Sequence, residues 1–222
     1  MRDVADSTRL EAFSDAVFGF ALTLLVVALE VPDTFAALTS AMRGFVAFAA
    51  SFAVLYWIWY EHQRFFRRYQ LADGATVILN ALLLFVVLFY VYPLKFMFTF
   101  LARLFFGLGD GAVTPTLDES RFLLVTYGLG FAAVFAIFAL MYRHASSRAG
   151  TLGLSAVSAR ETRVIARAHA LSMSVGVVSV GLALVLPPAW LGVAGFLYAG
   201  LGPLHVAHAT WSARAGPAPT SS

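Results

Sequence analysis

The chain has 222 residues, of which 60% are hydrophobic and only 12% charged, with a mean hydropathy of +0.82. A soluble domain is typically about a quarter charged, so this composition excludes an ordinary water-soluble globule and calls for lipid as solvent. No cysteine is present, which removes disulfides and thiolate metal sites.

A spanning helix takes ~20 mostly apolar residues, and the apolar runs predict an all-α membrane protein with helices at roughly 12–31, 37–60, 75–101, 121–142, 164–186 and 189–211. The first run is expected to stay in the mature protein. Glu11 and Asp15 interrupt its start, and Glu30-Val31-Pro32 stands where a signal peptide would need small residues. The breaks are Val31-Pro32-Asp33, the basic stretch Arg64 to Asp73, the Gly-rich loop Gly107 to Ser120, the segment 143–163, and Pro187-Pro188. Each carries turn or charge chemistry that is costly in hydrocarbon. A single six-helix transmembrane domain covers residues 1–215, followed by a Pro-containing tail, 216–222, that reads as flexible. The halves show no convincing repeat. In the second half, the pairs Ser172 with Gly176 and Gly195 with Ala199 suit close helix packing.

With the N-terminus inside, the cytoplasmic segments hold Arg2, Arg9, Arg64, Arg67, Arg68, Arg143, Arg148, Arg160, Arg163, Arg167 and Arg214. The outside keeps Arg43, Lys95, Arg103 and Arg121. This split follows the positive-inside rule and predicts that both termini are cytoplasmic.

The first helix opens on Arg9-Leu10-Glu11-Ala12-Phe13-Ser14-Asp15. Charged groups this close to hydrocarbon need partners or water. The predicted topology brings Trp59, His62 and Asn80 to about the depth of Ser14 and Asp15, so a buried cluster of Arg9, Asp15, His62 and Asn80 is one expectation. Headgroup-layer positions for Arg9, Glu11 and His62 are the other. At 100° per residue, Ala16, Phe20, Thr23, Leu24, Val27 and Val31 fall on one stripe, with Asp15 about 140° from Phe20. If several copies of this helix surround an axis, the stripe makes a narrow apolar lumen with one hydroxyl ring from Thr23. Without further information, such a stripe is more often packing or lipid contact.

The motif Arg9 to Asp15, followed by Ala16-Val17-Phe18 and Thr23-Leu24-Leu25-Val26-Val27, resembles the hallmark first helix of the transmembrane protein 175 family, the lysosomal and prokaryotic potassium channels. Trp59-Tyr60-Glu61-His62 with Phe65 or Phe66 resembles the family's W-x-x-H segment. Leu79-Asn80 with Leu84-Phe85 and Pro93-Leu94 resembles its third helix. The match covers residues 9 to about 100, and the second half agrees only in hydropathy. The resemblance implies a six-helix subunit forming a homotetramer, with first helices lining a pore that lacks a carbonyl filter loop. The sequence accordingly contains no T-V-G-Y-G. It also implies a constriction at Phe20, Leu24 and Val27 with Thr23 beside them, no cofactor, and potassium as permeant ion with protons as a second candidate. Phe20 departs from the family's usual isoleucine or leucine, and a ring of aromatic side chains could act as a dewetting gate.

Four further positions carry weaker signals. Glu30 flanks the stripe at the outer end, where a ring of carboxylates could concentrate cations, although a solvated helix-end acid before Pro32 is the plainer account. Lys95 is expected to snorkel to the outer interface. His205 and His208 have no acidic or cysteine partner that would make a metal site, and read as interfacial. An enzyme is disfavoured, because H-E-x-x-H, G-x-S-x-G and closely paired intramembrane carboxylates are all missing. The alternative to a channel is an ion- or proton-coupled secondary transporter, using Asp15 or His62. Repeats and Gly/Pro-broken midplane helices would favour that alternative. Nothing in the sequence suggests nucleic acid as a partner; membrane lipids and potassium are the expected ones, in the cell membrane of a prokaryote.

Overall fold

The computed structural model describes residues 2–27, 33–107 and 116–214. Among the described residues every regular element is a helix. The first, α1, spans Arg2–Val27 and so begins ten residues before the apolar run. Hydropathy marks where a helix enters lipid, whereas Arg, Glu, Leu and Ala continue a helix into water equally well. The expected 37–60 helix is divided at Gly44 into α2 (Phe35–Arg43) and α3 (Phe45–Tyr69). Gln70 ends α3 in a left-handed conformation, φ 49°, with its N–H on the Phe66 carbonyl.

Sequence chemistry sets the remaining boundaries. Asp73 caps α4 (Gly74–Phe106), accepting from the Thr76 N–H at 3.0 Å and the Thr76 hydroxyl at 2.7 Å. Pro93 lies inside α4 and leaves the Phe89 carbonyl without its usual donor. Before α5 (Leu117–Ser147), Thr116 and Glu119 form a reciprocal capping box: the Thr116 N–H reaches Glu119 Oε2 at 2.7 Å and the Glu119 N–H reaches Thr116 Oγ1 at 3.3 Å. Ser155 caps α6 (Ala156–Val185) through the Ser158 N–H.

The expected 189–211 helix is broken instead. A 3-10 turn at Pro188–Trp190 precedes α7 (Gly192–Phe196), and a second at Leu197–Gly200 leads into α8 (Leu201–Arg214). Gly192, Gly195, Gly200 and Gly202 weaken an α-helix here, and Pro203 cannot donate to the Ala199 carbonyl.

The chain divides into two compact units, Met1–Gly130 and Phe131–Ser222. In the first, α1, α3 and α4 pack on one another and α2 packs on α3. The face α1 buries is Ser7, Ser14, Phe18, Ala21 and Leu25, spaced at helical intervals. It meets Leu55, Ile58, His62 and Phe66 of α3 and Asn80, Leu83, Val87 and Val91 of α4 in one core. Gly130 lies against Tyr90: a Cβ there would come within 2.2 Å of the ring. Tyr90 is itself buried, with its hydroxyl on the Tyr127 carbonyl at 3.1 Å. Gly130→Ala should therefore destabilise the protein by roughly 1–3 kcal/mol through overpacking. Thermal unfolding of the purified variant checks this.

In the second unit, α6 turns Thr162, Ala166, His169, Ser172, Gly176 and Ser179 inward. The His169 ring lies 5.3 Å from that of Phe138 and 5.2 Å from that of Tyr142. Ser172 and His205 share a hydrogen bond of 2.8 Å, and Ser179 donates to the Ala194 carbonyl at 2.8 Å. His205 is thus tied to α6.

Among the described residues, four segments are long and apolar enough to cross a membrane: Gly74–Phe106, Leu117–Ser147, Ala156–Val185 and Pro188–Ser212. Their outward surfaces are apolar too, as Phe85, Phe89, Tyr92 and Phe96 of α4 show. That inverts the pattern of a soluble domain. The protein is an all-α integral membrane protein.

Candidate functional site

The motif at the start of α1 sends three successive side chains in three directions. A helix turns about 100° per residue, so Phe13 points away from the unit and is 62% exposed, Ser14 is fully buried, and Asp15 lies between. Ser14 faces α4: its hydroxyl donates to the Leu10 carbonyl at 2.8 Å and accepts from Asn80 Nδ2 at 2.9 Å. Asn80 Oδ1 sits 2.8 Å from His62 Nε2, which therefore carries the proton. His62 is buried, with the Phe18 ring 5.4 Å and the Phe66 ring 4.6 Å away. This first network joins all three helices.

Asp15 faces α3. Its Oδ1 accepts from the Trp59 indole N–H at 2.9 Å and from Gln63 Nε2 at 2.5 Å. Gln63 Oε1 in turn accepts from Arg67 Nε at 3.2 Å. Trp59, Gln63 and Arg67 recur every four residues, so they form one row along α3. The four cluster residues expected from the sequence thus separate: His62 and Asn80 bond each other directly, with Ser14 on the other end of the Asn80 amide, and Asp15 belongs to the row on α3. Arg9 is exposed and makes no hydrogen bond or ion pair with the described residues. Gln63 was missed because a glutamine among charged neighbours carries no hydropathy signal, although its spacing from Trp59 put it on the same face.

The opposite side of α1 is uncovered in the single chain. Ala16, Gly19, Phe20, Thr23 and Val26 are exposed, Phe20 by 58%, while Leu24 is half-buried. Thr23 donates its hydroxyl proton to the Phe20 carbonyl at 2.7 Å, which leaves the oxygen lone pairs free to face outward. Val27 closes the described part of α1, and its side chain and Glu30 lie outside the described residues. Lys95 Nζ is 3.5 Å from the Leu25 carbonyl, tying α4 to the C-terminal part of the same helix. No cluster of metal-binding side chains occurs among the described residues.

Residues 9–90, which hold both networks, match the family described as the endosomal/lysosomal potassium channel TMEM175. A potassium channel of Marivirga tractuosa is 40% identical over 206 residues, covering 86% of this chain and 81% of its own. The chain belongs to the TMEM175 family. A potassium channel of Streptomyces collinus is 30% identical over 86% of this chain and 89% of its own length. Among solved structures, a crystal structure of a variant of the potassium channel MtTMEM175 bound to a nanobody fusion superposes with a TM-score of 0.84, at 36% identity and 93% coverage of both chains. A TMEM175 homologue from Chamaesiphon minutus, described as a lysosomal potassium-selective channel, shares the fold with a TM-score of 0.62 at 24% identity.

Proposed function

We propose that this protein is a potassium-permeable channel whose pore is lined by the first helices of a homotetramer. The observation that carries the reading is the uncovered face of α1. A helix otherwise fixed to α3 and α4 by buried polar networks leaves Phe20 and Thr23 exposed along one side, at the positions where the family resemblance puts the constriction. The relatives named as potassium channels support the permeant ion. A single chain supplies one such face, so a closed lumen requires several copies. The reading includes six membrane crossings per subunit within one domain, residues 1–215, with both termini on the arginine-rich cytoplasmic side. The bacterial relatives support the cell membrane of a prokaryote.

In this reading Phe20, Leu24 and Val27 ring the constriction, Thr23 offers hydroxyl oxygens beside it, and Glu30 stands towards the outer mouth. Ser14, Asp15, Trp59, His62 and Asn80 hold the pore helix in position, while the motif's Arg9 and Phe13 stay exposed on the single chain. Conduction is passive, and neither a catalytic residue nor a cofactor enters the mechanism. Protons are a second candidate permeant. Native mass spectrometry should find four subunits, and liposomes holding the purified protein should pass potassium down its own gradient without a co-substrate. A monomer, or flux that depends on a second ion's gradient, would replace the channel with a carrier.

A further inference from the structure

The charge of the second unit is one-sided. Residues 131–222 contain six arginines and a single acidic residue, Glu161, and no Asp, Glu, Lys or Arg occurs between Arg167 and Arg214. Arg143, Arg163 and Arg167 are exposed and make no ion pair or hydrogen bond with the described residues. Tyr142 and His169 have ring centroids 5.2 Å apart, so the turn of α5 that carries Arg143 stands at the level of the turn of α6 that carries Arg167. Arg160 donates to the Ser212 carbonyl at 2.6 Å, which brings the last turn of α8 to the same end. Glu161 cannot neutralise Arg163 along the helix, since at 100° per residue it points about 160° away.

Arg163 and Arg167 are one turn apart, with guanidinium groups free to converge on one anion. Below them, on the same stripe of α6, lie Ser174, Val178, Gly181 and Val185, all exposed. Ser174 and Gly181 are small, and a Cβ built on Gly181 would meet nothing within 4 Å, so the stripe is shallow and open. Arg167 and Val178 are separated by about 16 Å along the helix, roughly the depth of one leaflet's hydrocarbon. A soluble anion would use only the arginines; a lipid uses the arginines and the apolar stripe together.

We propose that Arg163 and Arg167 bind the phosphodiester headgroup of an anionic phospholipid whose acyl chain lies along Ser174, Val178 and Gly181 of α6. The site is built from α6 alone and does not depend on the channel reading. Planar guanidinium groups suit phosphate oxygens, and a basic side chain near an anionic membrane surface contributes a roughly fivefold preference, so two contribute about 30-fold.

The test uses the purified full chain, equilibrated with phosphatidylglycerol and phosphatidylcholine and examined by native mass spectrometry. The wild type should retain phosphatidylglycerol preferentially. The double variant Arg163→Gln/Arg167→Gln should lose about 30-fold in that preference, Arg163→Lys/Arg167→Lys should keep most of it, and Arg103→Gln at the far end of α4 should keep it all. Equal retention of the two lipids by the wild type would overturn the proposal without any variant. So would undiminished preference in the glutamine pair, or retention of inorganic phosphate in place of lipid. Loss of the oligomer in the glutamine pair with lipid preference unchanged would make this face a contact between copies, which also overturns it.

Discussion

Asn80→Leu should destabilise the protein by about 2–4 kcal/mol and weaken assembly before it alters ion preference. Asn80 is almost fully buried and uses both ends of its amide, one towards Ser14 and the other towards His62. Leucine matches its size but leaves the buried His62 N–H without a partner, at roughly 1–3 kcal/mol, and removes the bond that the Ser14 hydroxyl accepts while it still donates to the Leu10 carbonyl, at about 1 kcal/mol more. Asp15→Ala should have a smaller effect, about 1–3 kcal/mol, because Asp15 and the Trp59 donor are only half-buried and Gln63, though buried, keeps its bond from Arg67. Arg9→Gln should change the melting point little, since Arg9 is exposed in the single chain. Thermal unfolding in detergent, read beside oligomer mass, ranks the three. An Arg9→Gln effect as large as that of Asn80→Leu would mean that assembly buries Arg9 against a second copy.

The ranking also shows what the sequence could and could not reveal. The membrane class follows from composition alone, since 12% charge cannot coat a soluble surface. The family resemblance followed from seven consecutive residues, Arg9 to Asp15, in which Ser14 meets α4 and Asp15 meets α3 while Phe13 faces outward. Depth arguments placed His62 and Asn80 near Ser14, but they carry no azimuth. They could not tell that Ser14, rather than Asp15, meets Asn80, which depends on the rotation of α1 against α3 and α4. Helix ends were illegible for another reason: Glu61 to Arg68 is polar yet strongly helix-forming, so α3 runs on to Tyr69 beyond the apolar run. In the second unit the Ser172 to His205 bond joins residues 33 apart across a broken helix, and no local pattern announces it.

The proposed constriction carries the other large effect. Ions passing a lumen ringed by Phe20, Leu24 and Val27 would shed hydration without gaining oxygen ligands, so the barrier should depend on bore and wetting more than on coordination. Phe20 is 58% exposed on α1, with Gly19 beside it and no atom within 4 Å of a Cβ built there, so the ring has space to swing. Phe20→Ala should widen the lumen and Phe20→Asn should wet it. Both should raise conductance on the order of tenfold and weaken the discrimination of potassium from sodium, with no loss of stability because the ring is not part of the core. Leu22→Ala, on the far side of the helix, should leave conductance unchanged. Thr23→Val removes the hydroxyl at nearly constant volume, and because that oxygen keeps free lone pairs while its proton is held by the Phe20 carbonyl, the substitution should reduce potassium preference without widening the bore. Single-channel recordings from reconstituted protein measure all four. If both Phe20 variants keep the parental conductance and reversal potential, the uncovered face of α1 meets lipid or another helix, and the ion path runs elsewhere.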